Sequence, residues 1–258
     1  MRQTHWQQLA DALDRAAASG RQVDFWLRDD DAAEPSAALD RLVSLVDKYE
    51  VPVVIAAPPA LAGEALARRL DGHAGVGVAV HGWAHRNYAP PEEKKQELGA
   101  HRSRVTVLDE LAEGHARLQT LFPRSFVPML VPPWNRIDPS LLDGLPGIGF
   151  VALSVFGPEK PSPFKLVNTH VDVMDWHGTR GCRDHGSIVA DIIARLRQVC
   201  GDDEKKLDQT GRTIGLLTHH LVHDEAVWSF MEELFTRTAK HPACRWRTGV
   251  DLINRSSD

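Results

Sequence analysis

The sequence predicts an α/β domain whose mostly parallel strands curl into a closed or nearly closed barrel. Short apolar runs alternate with longer segments of helical period along the chain, as in a parallel sheet linked by crossover helices. About seven such runs within 258 residues suit one large domain and favour closure over an open sheet. No Gly-x-Gly-x-x-Gly turn follows the first run, which argues against an open dinucleotide-binding sheet.

The elements follow in order. Residues 1–20 lack the apolar core and small-residue cleavage site of a secretory signal, and read as an amphipathic helix. Val23–Leu27 is a strand, and Leu39, Leu42, Val43 and Val46 then mark one face of a helix over 36–49. Strands follow at 51–57 and 76–80, with a helix over 60–70 between them. The spacing of Leu98, Val105, Leu108, Leu111, Leu118 and Leu121 predicts one long helix over 92–121. Further strands are expected at 126–131, 150–155, 165–171 and 213–218, and helices at 187–199 and 225–239. No repeat or linker divides the chain.

Composition excludes several classes of function. Hydrophobic residues make up 43% and charged residues 25%, ordinary values for a globular protein. The net charge of −5 and the lack of a basic stripe argue against a nucleic-acid partner. No apolar run reaches the roughly 20 residues of a membrane span. The three cysteines, Cys182, Cys200 and Cys244, form no Cys-x-x-Cys pair, so neither a disulfide framework nor a thiolate zinc site is indicated. Together with the amino-terminal reading, this sets the expectation of a cytoplasmic protein.

Chemistry collects at the ends of the apolar runs. Polar clusters follow five of them: Arg28-Asp29-Asp30-Asp31, His81-Gly-Trp-Ala-His85, Pro132-Pro133-Trp134, Asp172-Val-Met-Asp175-Trp176 and His219-His220. The carboxyl ends of parallel barrel strands open on one face, so the five clusters are expected to converge there. Three adjacent carboxylates repel one another; they read either as a solvated helix start or, after a buried strand, as a metal or catalytic site. Two histidines four apart place both imidazoles on one side of a helical turn, within reach of one cation. Two histidines and one carboxylate leave an open position on zinc, the pattern of a catalytic rather than a structural ion. His219 reads as a third ligand, a general acid or a polar rim residue, with Asp172 or Asp175 as its orienting carboxylate. Trp134 and Trp176 stand in strand-end clusters, where an indole suits stacking on a sugar ring.

The order of aspartate pair, HxxxH, PPW, DxxDW and LxH, running from Val23 to His223, resembles the five motifs of the polysaccharide deacetylases, the NodB-homology carbohydrate esterases. The resemblance implies a distorted (β/α)7 barrel and a divalent metal, usually Zn2+, acting in hydrolysis of an N-acetyl group on a sugar or glycan precursor. Carried over by position, Asp31, His81 and His85 hold the metal and Asp30 is the general base. The run also permits a register one residue earlier, with Asp29 as base and Asp30 as ligand. His219, in Leu217-Thr218-His219, is the general acid; Asp172 tunes it, and Trp134, Trp176 and Pro133 contact substrate. Two departures stand out. Arg28-Asp29 replaces the threonine and phenylalanine that normally precede the aspartate pair, and Val131 stands where the family carries an arginine paired with the catalytic aspartate. Arg28 and Arg136 are the candidate substitutes, Arg28 being preferred because side chains two apart on a strand share a face. These departures also admit hydrolysis of another small amide or a cyclic ureide, or a carbohydrate-binding relative without activity.

Overall fold

The structure is a computed structural model that describes residues 4–201 and 213–254. Helix α1 (His5–Ala18) leads into strand β1 (Val23–Asp30), and the chain then alternates α2 (Ala37–Tyr49), β2 (Val53–Ala57), α3 (Glu64–Leu70), β3 (Val76–Val80), α4 (Arg104–Leu121) and β4 (Phe126–Leu130). After the short helix α5 (Leu145–Ile148) come β5 (Ala152–Leu153), β6 (Val171–Asp172), α6 (His185–Cys200), β7 (Thr213–Thr218), α7 (Glu225–Thr238), β8 (Cys244–Trp246) and α8 (Gly249–Asn254). Side-chain oxygens start the main helices where the sequence places small polar residues: Ser36 accepts from the Leu39 N–H, Ser103 from Thr106 and Asp184 from Ser187.

The strands run parallel in the order β5-β4-β3-β2-β1-β7-β6. Two further parallel bridges, Leu153 to Leu166 and Phe156 to Thr169, tie β5 to the segment that leads into β6. The ring therefore closes, loosely on that side, as a distorted (β/α)7 barrel. The expected strand 165–171 is seen as these bridges, with residues 165–169 hydrogen-bonded to 153–157, followed by the two-residue β6. Strand β8 was not expected from its three-residue sequence Cys-Arg-Trp. It pairs with Val23–Phe25 outside the ring and brings Arg245 and Arg247 to Asp24, with N–O distances of 2.5 and 3.0 Å.

Two apolar clusters divide the molecule. The larger lies between the outer strand faces and the helices. The smaller fills the barrel with Trp26, Val54, Ala56, Ala79, Val127, Met129, Val131, Ala152 and Val167, and Leu252 of α8 joins it. Alternation along β1 thus turns Trp26 inward with Arg28 and Asp30 on the same side, and Phe25 and Leu27 outward.

The expected helix over 92–121 begins only at Arg104. Leu98 fits its periodicity, but it is buried by a bridge to Ile137, and Glu97 sits in a loop that binds other loops. Ser103 captures the Thr106 N–H and sets the true start. The helix expected over 60–70 likewise starts at Glu64, after a turn at Pro58–Ala62.

A buried network outside the barrel mouth fixes the β5–β6 connection. His170 accepts the Gly215 N–H at Nδ1 (3.1 Å), so its Nε2 proton goes to Glu159 (3.1 Å), which Arg195 also contacts at 3.3 Å. Burial pushes the His170 pKa down despite Glu159. Burial would raise the Glu159 carboxyl, but His170 and Arg195 outweigh it and hold the carboxyl below its usual value. Both shifts have the same sign for stability. Each contributes above the group's unfolded pKa, about 6.5 for histidine and 4.3 for glutamate, and is lost as pH falls through the folded value. Thermal unfolding measured from pH 7 to pH 3 should show a falling midpoint; Glu159→Gln should be less stable at pH 7 and decline less steeply below about pH 4.5. Identical slopes in the two proteins would contradict this.

Candidate functional site

Strand β1 ends in three carboxylates, and each has a different set of partners. Asp29 and Asp30 are buried, at 0% and 2% exposure, where an unpaired charge is costly. Asp29 points to β7: its Oδ2 accepts from Thr218 Oγ1 (2.7 Å) and the His220 N–H (2.9 Å), and its Oδ1 pairs with His220 Nδ1. Burial opposes ionisation of both partners, yet their mutual attraction dominates: the Asp29 carboxyl is held low and the His220 imidazole high. Asp29 is therefore occupied by Thr218 and His220 and lies outside the Asp31–His81–His85 group described below.

Asp30 pairs with Arg28, the preferred candidate for its cation. Nη2 donates to Oδ2 at 3.0 Å, and Nε stands 2.9 Å from Oδ1 as an ion pair without hydrogen-bond geometry. Arg28 has no exposed surface and its remaining donors are taken: Nη1 by Ser154 Oγ (2.8 Å) and Ser154 O (3.2 Å), Nη2 by Asn135 Oδ1 (2.7 Å). Arg136 does not reach the aspartates; its Nη1 donates to the Lys95 carbonyl at 2.8 Å. Val131 contributes through its backbone, where its carbonyl accepts from His81 Nδ1 at 2.9 Å.

Asp31 leaves the strand in the left-handed region, at φ 77°, a conformation that aspartate tolerates better than most residues. This turn sets its Oδ1 3.2 Å from His81 Nε2 and 3.2 Å from His85 Nε2. The Nδ1 bond to Val131 leaves the Nε2 lone pair of neutral His81 facing this oxygen. Asp31 Oδ1 is itself buried without a hydrogen-bond partner and meets the two imidazole nitrogens as a third acceptor. Burial would raise the Asp31 carboxyl, but the surrounding imidazoles, when protonated, hold it below the ordinary range. Donors about 2.1 Å from a tetrahedral ion stand roughly 3.4 Å apart, close to both separations seen here. The donor set fits a divalent cation with an open coordination position.

The two imidazoles do not meet on a helical turn, as their spacing suggested. Residues 81–85 form a loop in which Gly82 and His85 both have positive φ, 61° and 54°. Trp134 and Asn135 are also left-handed, so four of the six such non-glycine residues described cluster at this site, where strain is commonly stored.

His219 follows β7, with Nε2 3.9 Å from Asp30 Oδ2. Trp176 meets it edge to face at 4.7 Å and is 39% exposed, while Trp134 lies 4.4 Å from His85. Indoles thus flank the histidines on both sides. Asp172 makes no hydrogen bond to His219; its oxygens accept from the Met174 N–H and from Trp176 Nε1 (2.8 Å). Burial, with Asp30 nearby, raises its pKa. Asp175 closes the turn by accepting from the Gly178 and Thr179 amides. Pro133 is buried, its ring where a Cβ on Gly82 would lie, so it supports the loop rather than offering an open face. Sequence reasoning gave no role to Ser154, Asn135, Thr218, His220 or Glu97. His220 in its cluster, Thr218 within Leu217-Thr218-His219 and Asn135 next to Trp134 carried a usable signal; Ser154 and Glu97 carried none.

No protein-family model matches the chain, and no curated protein matches it by sequence. Solved structures do match by fold. A candidate polysaccharide deacetylase from Mycobacterium smegmatis shares 16% identity at TM-score 0.65, covering 91% of this chain and 90% of its own. A family 4 carbohydrate esterase from Streptomyces lividans, in complex with acetate, shares 14% at TM-score 0.55, over 85% and 90%. A family 4 acetyl xylan esterase from Clostridium thermocellum, in complex with cobalt, shares 17% at TM-score 0.55, over 89% of each. The resemblance drawn from the motifs thus extends to the fold.

Breaking the Asp29–His220 pair should leave one buried group uncompensated, at a cost of about 3–5 kcal/mol. His220→Gln is expected to lower denaturant stability by that order without changing the slope of the transition; a loss below about 1 kcal/mol would show the pair to be dispensable.

Proposed function

We propose that the protein is a metal-dependent deacetylase that hydrolyses an N-acetyl group on a sugar or glycan precursor. The observation that carries this reading is the meeting, on one barrel face, of the Asp31–His81–His85 cluster with Asp30 and His219, whose facing atoms are 3.9 Å apart. A divalent cation, Zn2+ by preference, supplies Lewis-acid polarisation when bound to the three ligands. Asp30 takes a proton from the attacking water as the new C–O bond forms. His219 Nε2 gives a proton to the amine as the C–N bond breaks. Arg28 holds the Asp30 carboxylate in one orientation through two contacts, supplying from β1 the cation expected at Val131. Trp134 and Trp176 form walls suited to the apolar faces of a sugar ring.

A cytoplasmic setting would favour a small or lipid-linked glycan intermediate over a mature polymer. The altered first and third motifs support hydrolysis of another small amide or a cyclic ureide as the second reading. Because two structural neighbours are named as esterases, one of them an acetyl xylan esterase, the decisive panel includes N-acetyl sugars, an O-acetyl xylan, and simple amides and ureides. Acetate release from an N-acetyl sugar, abolished by chelation and restored by zinc, is expected. Turnover confined to esters or ureides would replace the substrate assignment, and no turnover of any member would favour a binding protein.

The arginine assignment has its own test. Arg28→Met, checked for folding by circular dichroism, should lose at least about tenfold in kcat/KM, or roughly 1.4 kcal/mol of barrier, while retaining its metal. Arg136→Met should retain nearly full activity, because its guanidinium is engaged elsewhere. The reverse pattern would move the role to Arg136.

A further inference from the structure

Glu97 is 1% exposed and lies outside every motif, in the loop before α4. Its carboxylate faces the loop that carries His81 and His85. Oε2 accepts from the Trp83 N–H at 3.1 Å, and Oε1 accepts from the Ala84 N–H at 2.9 Å and the Arg86 N–H at 3.2 Å. Three backbone donors that a loop with positive-φ residues at each end cannot pair within itself are thus satisfied by one charge.

The neighbouring sequence is fitted to this contact. A Cβ on Gly82 would stand 2.1 Å from Glu97 Oε2 and 2.7 Å from Pro133, so a glycine is needed for the loop to seat on the carboxylate. Glu97 is itself anchored: Arg102 donates to its carbonyl at 3.2 Å and pairs with Glu110, and the next residue, Leu98, bridges to Ile137. The support thus runs from helix α4 and the loop after Trp134 to the peptides between the two histidines.

We propose that Glu97 is a positioning residue of the metal site, holding the 82–86 loop in the strained form that turns His85 toward Asp31 beside His81. This rests on the reading of Asp31, His81 and His85 as metal ligands. Without the carboxylate, the three amides lose their common acceptor, and His85 can relax from its left-handed conformation and withdraw its imidazole. Glu97 makes no hydrogen bond to the three ligands or the reacting groups and acts on His85 through the loop and its charge, so its effect is read in metal affinity rather than proton transfer.

Purified full-length protein, stripped of metal, would be titrated with Zn2+ against a chromophoric chelator, and its Co2+ absorption spectrum recorded. The wild type should bind one ion. Glu97→Gln places an amide N–H2 against backbone donors and should weaken Zn2+ binding at least about tenfold, with an altered Co2+ spectrum. Glu97→Asp keeps the charge but is one methylene shorter; it should fold as the wild type does and bind with intermediate affinity. A lowered unfolding midpoint with wild-type affinity and spectrum in both variants would reduce Glu97 to a structural role and overturn the proposal alone. Failure of the wild type to bind either ion would overturn the ligand assignment as well.

Discussion

Three consecutive carboxylates at the end of a central strand impose the constraint around which this barrel face is built. Two of them are almost without solvent, and mutual repulsion would forbid the arrangement if they shared one environment. The fold separates them by direction. Strand alternation sends Asp29 outward to β7 and Asp30 inward to Arg28, and a left-handed residue then swings Asp31 to His81 and His85. Each partner comes from a different strand end, so satisfying the charges draws β1, β3 and β7 to one point. The polar centre and the barrel mouth are the same structure.

A buried arginine inside a small barrel is an unusual occupant, since its desolvation is tolerated only where its charge is paired and hydrogen bonds support it. For Arg28, Asp30, Ser154 and Asn135 take the Nη donors and tie β1 to the ends of β4 and β5, while Nε stands in the ion pair with Asp30. Hydrogen-bonded supports of this kind recur one step away from the Asp31–His81–His85 cluster: the Val131 carbonyl fixes the His81 ring, Asp172 fixes the Trp176 indole, and Glu97 fixes the loop between the histidines. Local conformations that would relax in an isolated peptide are held in place by their surroundings.

Much of this was legible in the sequence. Alternating apolar runs gave the parallel strands, and the clusters after them marked the face where the polar groups meet. What escaped depended on contacts between distant segments. Leu98 kept helical phase by coincidence, and nothing local shows that it packs against Ile137 instead. Glu97 looked like one more polar residue on a helix because its partners are backbone amides, which carry no sequence signature. The HxxxH spacing suggested a helical turn, whereas Gly82 and the carboxylate beneath it select a loop. Strand β8 is too short to show alternation and is defined by its place on the β1 edge. The identity of the cation beside Asp30 was accessible, because Arg28 and Asp30 have the parity of one strand face.

The central claim is that Asp31, and neither Asp29 nor Asp30, joins His81 and His85 in holding one divalent ion. Anomalous diffraction from zinc-soaked crystals, collected on both sides of the zinc edge, tests it most directly. The account predicts one strong peak at about 2.0–2.2 Å from an Asp31 carboxylate oxygen and from Nε2 of both histidines. A barrel mouth without a peak, or an ion held by Asp29 or Asp30 in place of Asp31, would contradict it.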